Sequence, residues 1–252
     1  MIVYRCEDCL ESIFTAIYQA YEERCNHEET LLDLTGDPIL FAEDRRVYPD
    51  REKSCKVIRT LIRTFGEEDY VHLCMALASN NDEKAQAVYR TVVDGLRRKC
   101  RRGHLFDNLA DSYVHKSFAL GRGVGTEVGH QKQFLRFQEL ENGILFSKIG
   151  PKNDVLVFIM PHFADRLPIL DFVIYDEIRN LFGIHPNGKQ WYLLRGEDTD
   201  APFPLRLSEE ERQYQELFRQ MCHAITIEER RNAKLQQGML PLRFREYMVE
   251  FS

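Results

Sequence analysis

A strand-like pentapeptide, Ile2-Val3-Tyr4-Arg5-Cys6, runs almost directly into an apolar stripe at Leu10, Ile13, Phe14, Ile17, Tyr18 and Tyr21. The first set suits an extended chain and the second recurs at three- and four-residue spacing, so a strand hands over to an amphipathic helix. Asp8, with Glu11 three positions on, supplies the N-cap signature. This handover limits the fold to those that lay helices against a sheet, and the same contrast returns along the chain. Residues 31–34 and 46–48 predict short strands around the Gly36-Asp37-Pro38 turn. Three helices follow. Val57, Ile58, Leu61, Ile62 and Phe65 mark one that stops at Gly66, residues 70–78 form a second, and Asn81 caps a third with Ala85, Val88, Tyr89, Val92, Val93 and Leu96 on its buried side.

Beyond Gly103 the pattern loosens. Gly121, Gly123, Gly125 and Gly129 predict a glycine-rich connection leading into a helix over 126–140. "GILFSKIGP" reads as a strand, 153–164 as an apolar helix, and "ILDFVIYD", "LFGIH" and "QWYLL" as three further strands, with a turn at Pro186-Asn187-Gly188. Ser208 with Glu211 opens a last long helix carrying Tyr214, Leu217, Phe218, Met221 and Cys222. The order predicts an α+β fold, a mostly antiparallel or mixed sheet flanked by many helices. The domain reading is one domain over 1–252 that can divide into a helical lobe, 1–103, and a sheet-containing lobe, 104–252.

With 44% hydrophobic and 29% charged residues the chain is composed like a soluble globular protein. It has no apolar run of about 20 residues and no secretory signal, which predicts a cytoplasmic protein with no membrane association. Seven cysteines, an odd number, read as reduced thiols in that compartment. Cys6-x-x-Cys9 with Cys25 and His27 has zinc-ligand chemistry, but the intervening helix separates the halves by roughly 25 Å. No metal site is predicted.

The net charge of −6 conceals a basic centre: residues 1–83 hold 9 basic and 18 acidic groups, 84–148 hold 12 and 6, and 149–252 hold 13 and 16. In "GLRRKCRRGH", Arg97, Arg98, Lys99, Arg101 and Arg102 exceed what a helix C-terminus needs and suit a phosphate backbone. On the helix expected after the glycines, Glu127, His130, Phe134 and Phe137 share one face. His162 and Arg166 close the next helix, while Asp176 and Arg179 leave the strand that follows. A hairpin-like return would bring those four together as an anion pocket or as an ion-pair network. His130, His162 and Asp176 are the candidate catalytic groups, although no recognisable catalytic motif is present.

The blocks "EVGHQKQFLRFQEL", "GILFSKIGPKNDVLVFIMPHFADRLP", "FVIYDEIR" and "EERRNAKLQQGMLPLRFREYM" resemble a bacterial family assigned to DNA metabolism or DNA repair. "CLESIFTAIYQAYEE" and "DEKAQAVYRTV" extend the resemblance over nearly the whole chain. Members of that family are encoded beside a radical S-adenosylmethionine (SAM) protein, and related domains are fused to uracil-DNA glycosylase-like domains. The resemblance implies a DNA-repair accessory with no cofactor of its own, the radical SAM partner carrying the iron-sulfur cluster and S-adenosylmethionine. It carries over His130, Phe134, Arg136 and Phe137; Pro161, His162, Phe163 and Arg166; Asp176 and Arg179; and Arg230, Arg231, Asn232, Gln236 and Pro241. Two departures stand out: Cys6-Glu7-Asp8-Cys9 replaces an aspartate-glycine turn, and Leu242-Arg243-Phe244-Arg245 replaces Arg-Tyr-Trp. The expected phosphate-binding set is therefore Arg97, Arg98, Lys99, Arg101, Arg102, Arg136, Arg166, Arg179, Arg230, Arg231 and Arg243. The alternatives are an enzyme acting directly on a damaged base or nucleotide, and a protein-protein adaptor.

Overall fold

Val3 and Tyr4 are fully buried at the centre of β1 (Ile2–Arg5), as expected of a strand covered on both faces. β1 pairs in parallel with β2 (Thr30–Asp33) on one side and β3 (Glu43–Arg46) on the other, with Ile2 opposite Thr30 and Glu43. A parallel neighbour requires a crossover, and α1 (Leu10–Glu22) supplies it between β1 and β2. The N-cap of α1 is Cys9, whose Sγ accepts from the Ser12 N–H at 3.4 Å. That corrects the assignment of Asp8, whose carboxylate binds Lys84 at 2.6 Å instead.

The computed structural model describes residues 1–198, 206–227 and 232–251, and the chain forms two compact units, Met1–Thr126 and Glu127–Ser252. In the first unit the predicted helices are α2 (Arg51–Phe65), α3 (Glu67–Leu77) and α4 (Lys84–Arg98). Asp50 caps α2 by accepting from the N–H groups of Glu52 and Lys53. Tyr4, Phe14, Leu61, Phe65, Leu73 and Tyr89 form the fully buried centre of this unit's core.

The glycine cluster is not a loop. It lies inside α5 (Ser112–Phe134), which begins where Asp111 accepts from the N–H groups of Tyr113 and Val114. A Cβ at Gly121 would stand 2.5 Å from the His72 ring, so this glycine marks the close approach of α5 to α3. α5 also stops at Phe134, and the residues expected as its last turn enter β4 (Gln138–Glu139).

The second unit holds a five-stranded sheet ordered β4-β5-β6-β7-β8, with β5 (Leu145–Ile149), β6 (Phe172–Asp176), β7 (Leu181–His185) and β8 (Tyr192–Arg195). Only β5 and β6 run parallel, joined through α6 (Leu156–Arg166); the other pairs are antiparallel. The fold is α+β with parallel and antiparallel strands. α7 (Glu209–Ala224), α8 (Ala233–Met239) and α9 (Leu242–Arg245) follow. Ser208 caps α7, accepting from the Glu211 N–H at 3.0 Å as the sequence predicts. Among the described residues no helix is long and apolar enough to cross a membrane.

Candidate functional site

The basic run of the first unit divides into two roles. Arg97 and Arg98 sit in the last turn of α4 and bind Asp94, a carboxylate that is 3% exposed, at 3.3 and 2.6 Å. Arg97 also lies 3.8 Å from Glu28, and Arg98 donates to the Leu105 carbonyl at 3.2 Å. Two guanidinium groups are thus engaged by an anion the fold has buried, where losing a partner would be costly.

Lys99 then takes a left-handed conformation, φ 53°, which ends α4 with its N–H on the carbonyls of Gly95 and Leu96. The following turn is anchored by Gly103, whose N–H donates to the Phe65 carbonyl at 2.8 Å. Lys99, Arg101 and Arg102 are left exposed on this turn, with no ion pair to a described residue.

Beside the same turn lies a hollow of about 570 Å³ between the start of α3, the 103–109 segment and α5. His72 is its hub: the ring stacks on Phe118 at 5.1 Å, meets Phe106 edge-on at 4.6 Å, and donates from Nε2 to the Phe118 carbonyl at 3.1 Å. Burial holds the His72 pKa below 6.5, so the ring is neutral at pH 7. Asp69 is buried under the turn and accepts from the Leu105 N–H at 3.2 Å; burial pushes its carboxyl up. Glu68 and Asp107 are exposed at the rim. None of Glu68, Asp69, His72, Phe106 and Phe118 stands out in the sequence. The single local signal is the Asp69-x-x-His72 spacing on a helix.

In the second unit three of the polar residues singled out by sequence, Glu127, Asp176 and Arg179, are tied around one backbone segment, Pro151 to Asn153. Glu127, 2% exposed, accepts from the N–H groups of Lys152 and Asn153 at 3.0 and 2.9 Å and from the Asn153 amide at 2.7 Å. From the other side Arg179 donates to the carbonyls of Pro151 and Lys152 at 3.2 and 2.8 Å. Asp176, fully buried, holds Arg179 at 3.1 Å and accepts from the Ile178 and Arg179 N–H groups. Burial pushes the Asp176 carboxyl up against the pull of Arg179. Arg243 binds Glu127 at 3.1 Å and Arg136 binds Glu250 at 3.2 Å. A Tyr247 hydroxyl that donates to Glu177 occupies the space a Cβ at Gly150 would take.

The expected gathering of His162, Arg166, Asp176 and Arg179 is therefore half met. Asp176 and Arg179 are partners, whereas His162 packs edge-on against Phe163 and Arg166 is exposed at the end of α6. His130 packs with Phe134 and Phe244, its Nδ1 buried without a partner. Phe137, beyond the end of α5, packs on Phe163 and Phe172 rather than on the face of His130. Among the described residues no hydrogen bond or ring contact joins any two of His130, His162 and Asp176. Arg230 and Arg231 lie outside the described residues.

Cys6, Cys9 and Cys25 have ordinary duties. Burial pushes the Cys6 thiol up to about 12, which disfavours a thiolate, and Cys9 is the helix cap. Cys25 contacts the Tyr4 hydroxyl at 3.3 Å and His27 Nδ1 contacts the Tyr89 hydroxyl at 2.6 Å.

A family model described as a domain of unknown function, DUF4130, matches residues 82–250, more than half of the chain. The chain belongs to the DUF4130 family. No curated protein and no solved structure matches it. The DUF4130 match takes in Lys99, Arg101 and Arg102 and the whole network around Pro151–Asn153. Glu68, Asp69 and His72 precede it.

Proposed function

We propose that this chain binds nucleic acid through Lys99, Arg101 and Arg102, and acts in DNA metabolism or repair as an accessory that positions DNA for a radical SAM enzyme. The observation that carries the reading is a set of three exposed cations on one anchored turn, none neutralised by a described carboxylate. Two arginines of the same run are already committed to Asp94, so the sequence provides more positive charge here than the fold consumes. The repair context and the radical SAM partner rest on the family resemblance. A surface suited to a protein partner exists on α7, where Tyr214, Leu217 and Met221 are 70%, 60% and 49% exposed at helical spacing.

Replacing Lys99, Arg101 and Arg102 by alanine tests the reading. The variant is expected to bind single-stranded DNA more weakly and to lose about two units of the slope of log K against log salt, at ~0.7 per phosphate contact. Unchanged affinity in a folded variant overturns it. The enzyme reading finds support in the unpartnered Nδ1 of His130. It predicts that the purified protein alone processes modified or uracil-containing DNA and that His162→Ala abolishes the activity without unfolding. A protein-protein adaptor predicts no DNA affinity even at low salt.

A further inference from the structure

We infer that the hollow lined by His72, Phe106 and Phe118 takes a single unstacked nucleobase bearing an exocyclic amino group, guanine foremost. This rests on the nucleic-acid reading of the neighbouring turn and names what that turn would deliver. At about 570 Å³ the hollow falls within the ~300–1,000 Å³ range of small-ligand sites. Its apolar side is a continuous aromatic wall rather than a cage, since the three rings pack against one another with centroids 4.6 to 5.8 Å apart. Such a wall offers a face on which one flat ring can stack.

The polar side is acceptor-rich. Glu68, Asp69 and Asp107 line the hollow; Asp69 already accepts from the Leu105 N–H and Asp107 meets His104 Nδ1 at 2.8 Å, so Glu68 is the carboxylate that would accept from a base. Guanine offers N1–H and N2–H₂ side by side to one carboxylate, adenine and cytosine offer an amino group, and thymine flanks its one N–H with two repelling oxygens. The neutral His72 ring adds no positive charge to the wall. A cation stands near the rim instead: Gly103 lines the hollow, and the side chain of its neighbour Arg102 passes beside Gly66, where a Cβ would lie 3.6 Å from Nε. A carboxylate and a cation side by side at the rim match a nucleotide whose base stacks on the ring wall with its donor edge toward Glu68 and its phosphate toward Arg102. An alkylammonium group from a protein partner would suit the carboxylate but would meet Arg102 as a like charge.

The test is fluorescence anisotropy of the full chain with labelled oligothymidylates carrying, at one central position, dG, dA, dT or an abasic site. The dG oligomer is expected to bind about tenfold more tightly than the abasic one, near the low end of what one stacked base contributes. Glu68→Gln, a change at an exposed position, should narrow the dG preference over dT while leaving the salt slope unchanged. Phe106→Leu should remove the gain over the abasic site for every base. Equal binding of all four oligomers overturns this inference and leaves the phosphate-binding turn standing. Absence of binding to any oligomer overturns the nucleic-acid reading with it. Preferential binding of a trimethyl-lysine peptide, competed by free trimethylammonium and not by guanosine monophosphate, would assign the hollow to a protein partner.

Discussion

The basic run that ends α4 and the network around Pro151–Asn153 treat their cations differently. In the second, Arg136, Arg179 and Arg243 are tied to Glu250, Asp176 and Glu127, and two of those carboxylates are at most 2% exposed. In the first, Arg97 and Arg98 are bound by Asp94, but the next turn presents three cations with no described partner. A buried ion pair is committed to the fold, since releasing a guanidinium to an external phosphate would strand its carboxylate in a low-dielectric interior. Cations on an open turn make no such commitment. Arginine count alone therefore says little; what separates the two sets is whether the fold has buried a carboxylate against the guanidinium.

The sharpest way to break this contrast is at Glu127. Glu127→Ala should destabilise the second unit by about 3–5 kcal/mol, because it strands the Lys152 and Asn153 donors together with Arg243. Chemical denaturation of the variant checks this, and a loss below about 1 kcal/mol would mean that the network is ornamental. Gly121→Val in the first unit should cost roughly 1–3 kcal/mol by driving a side chain into His72, readable in the same assay. By contrast, Arg101→Ala and Arg102→Ala should each change stability by no more than about 0.5 kcal/mol while weakening nucleic-acid binding. Arg179→Ala should do the reverse.

The smallest effect is on pH dependence. Burial lowers the folded pKa of both His72 and His27, the latter aided by Arg90. Below about 6.5 the unfolded chain therefore binds protons that the folded chain resists, and stability falls as pH drops through that window toward the folded values. His72→Gln should flatten part of the decline in thermal unfolding between pH 7 and 5. An unchanged profile would remove His72 from the account.

Local pattern was enough for much of the fold. The stripe from Leu10 to Tyr21, the stop at Gly66, and Ser208 with Glu211 each carry their own signal, because helix spacing and caps act within one turn. The glycine cluster misleads because a missing side chain looks the same in a loop and in a tight helix contact. At Gly121 what distinguishes them is His72, far away in sequence. Partners of Arg136 and Arg243 lie more than a hundred residues off in either direction, so no window along the chain could pair them. Asp94, by contrast, sits three and four residues before Arg97 and Arg98, a helical spacing at which an ion pair is legible. The aromatic hollow was invisible because it gathers single residues from three segments whose periodicities each look like ordinary core.

Whether cations with no ion-pair partner among the described residues serve an external polyanion is tested most directly by salt titration of three proteins. These are the parent chain, the Lys99, Arg101, Arg102 triple alanine variant, and Arg243→Ala. The slope of log K against log salt is expected to drop by about two units in the triple variant and to stay at the parent value in Arg243→Ala. Equal slopes in all three, or a drop confined to Arg243→Ala, would contradict it.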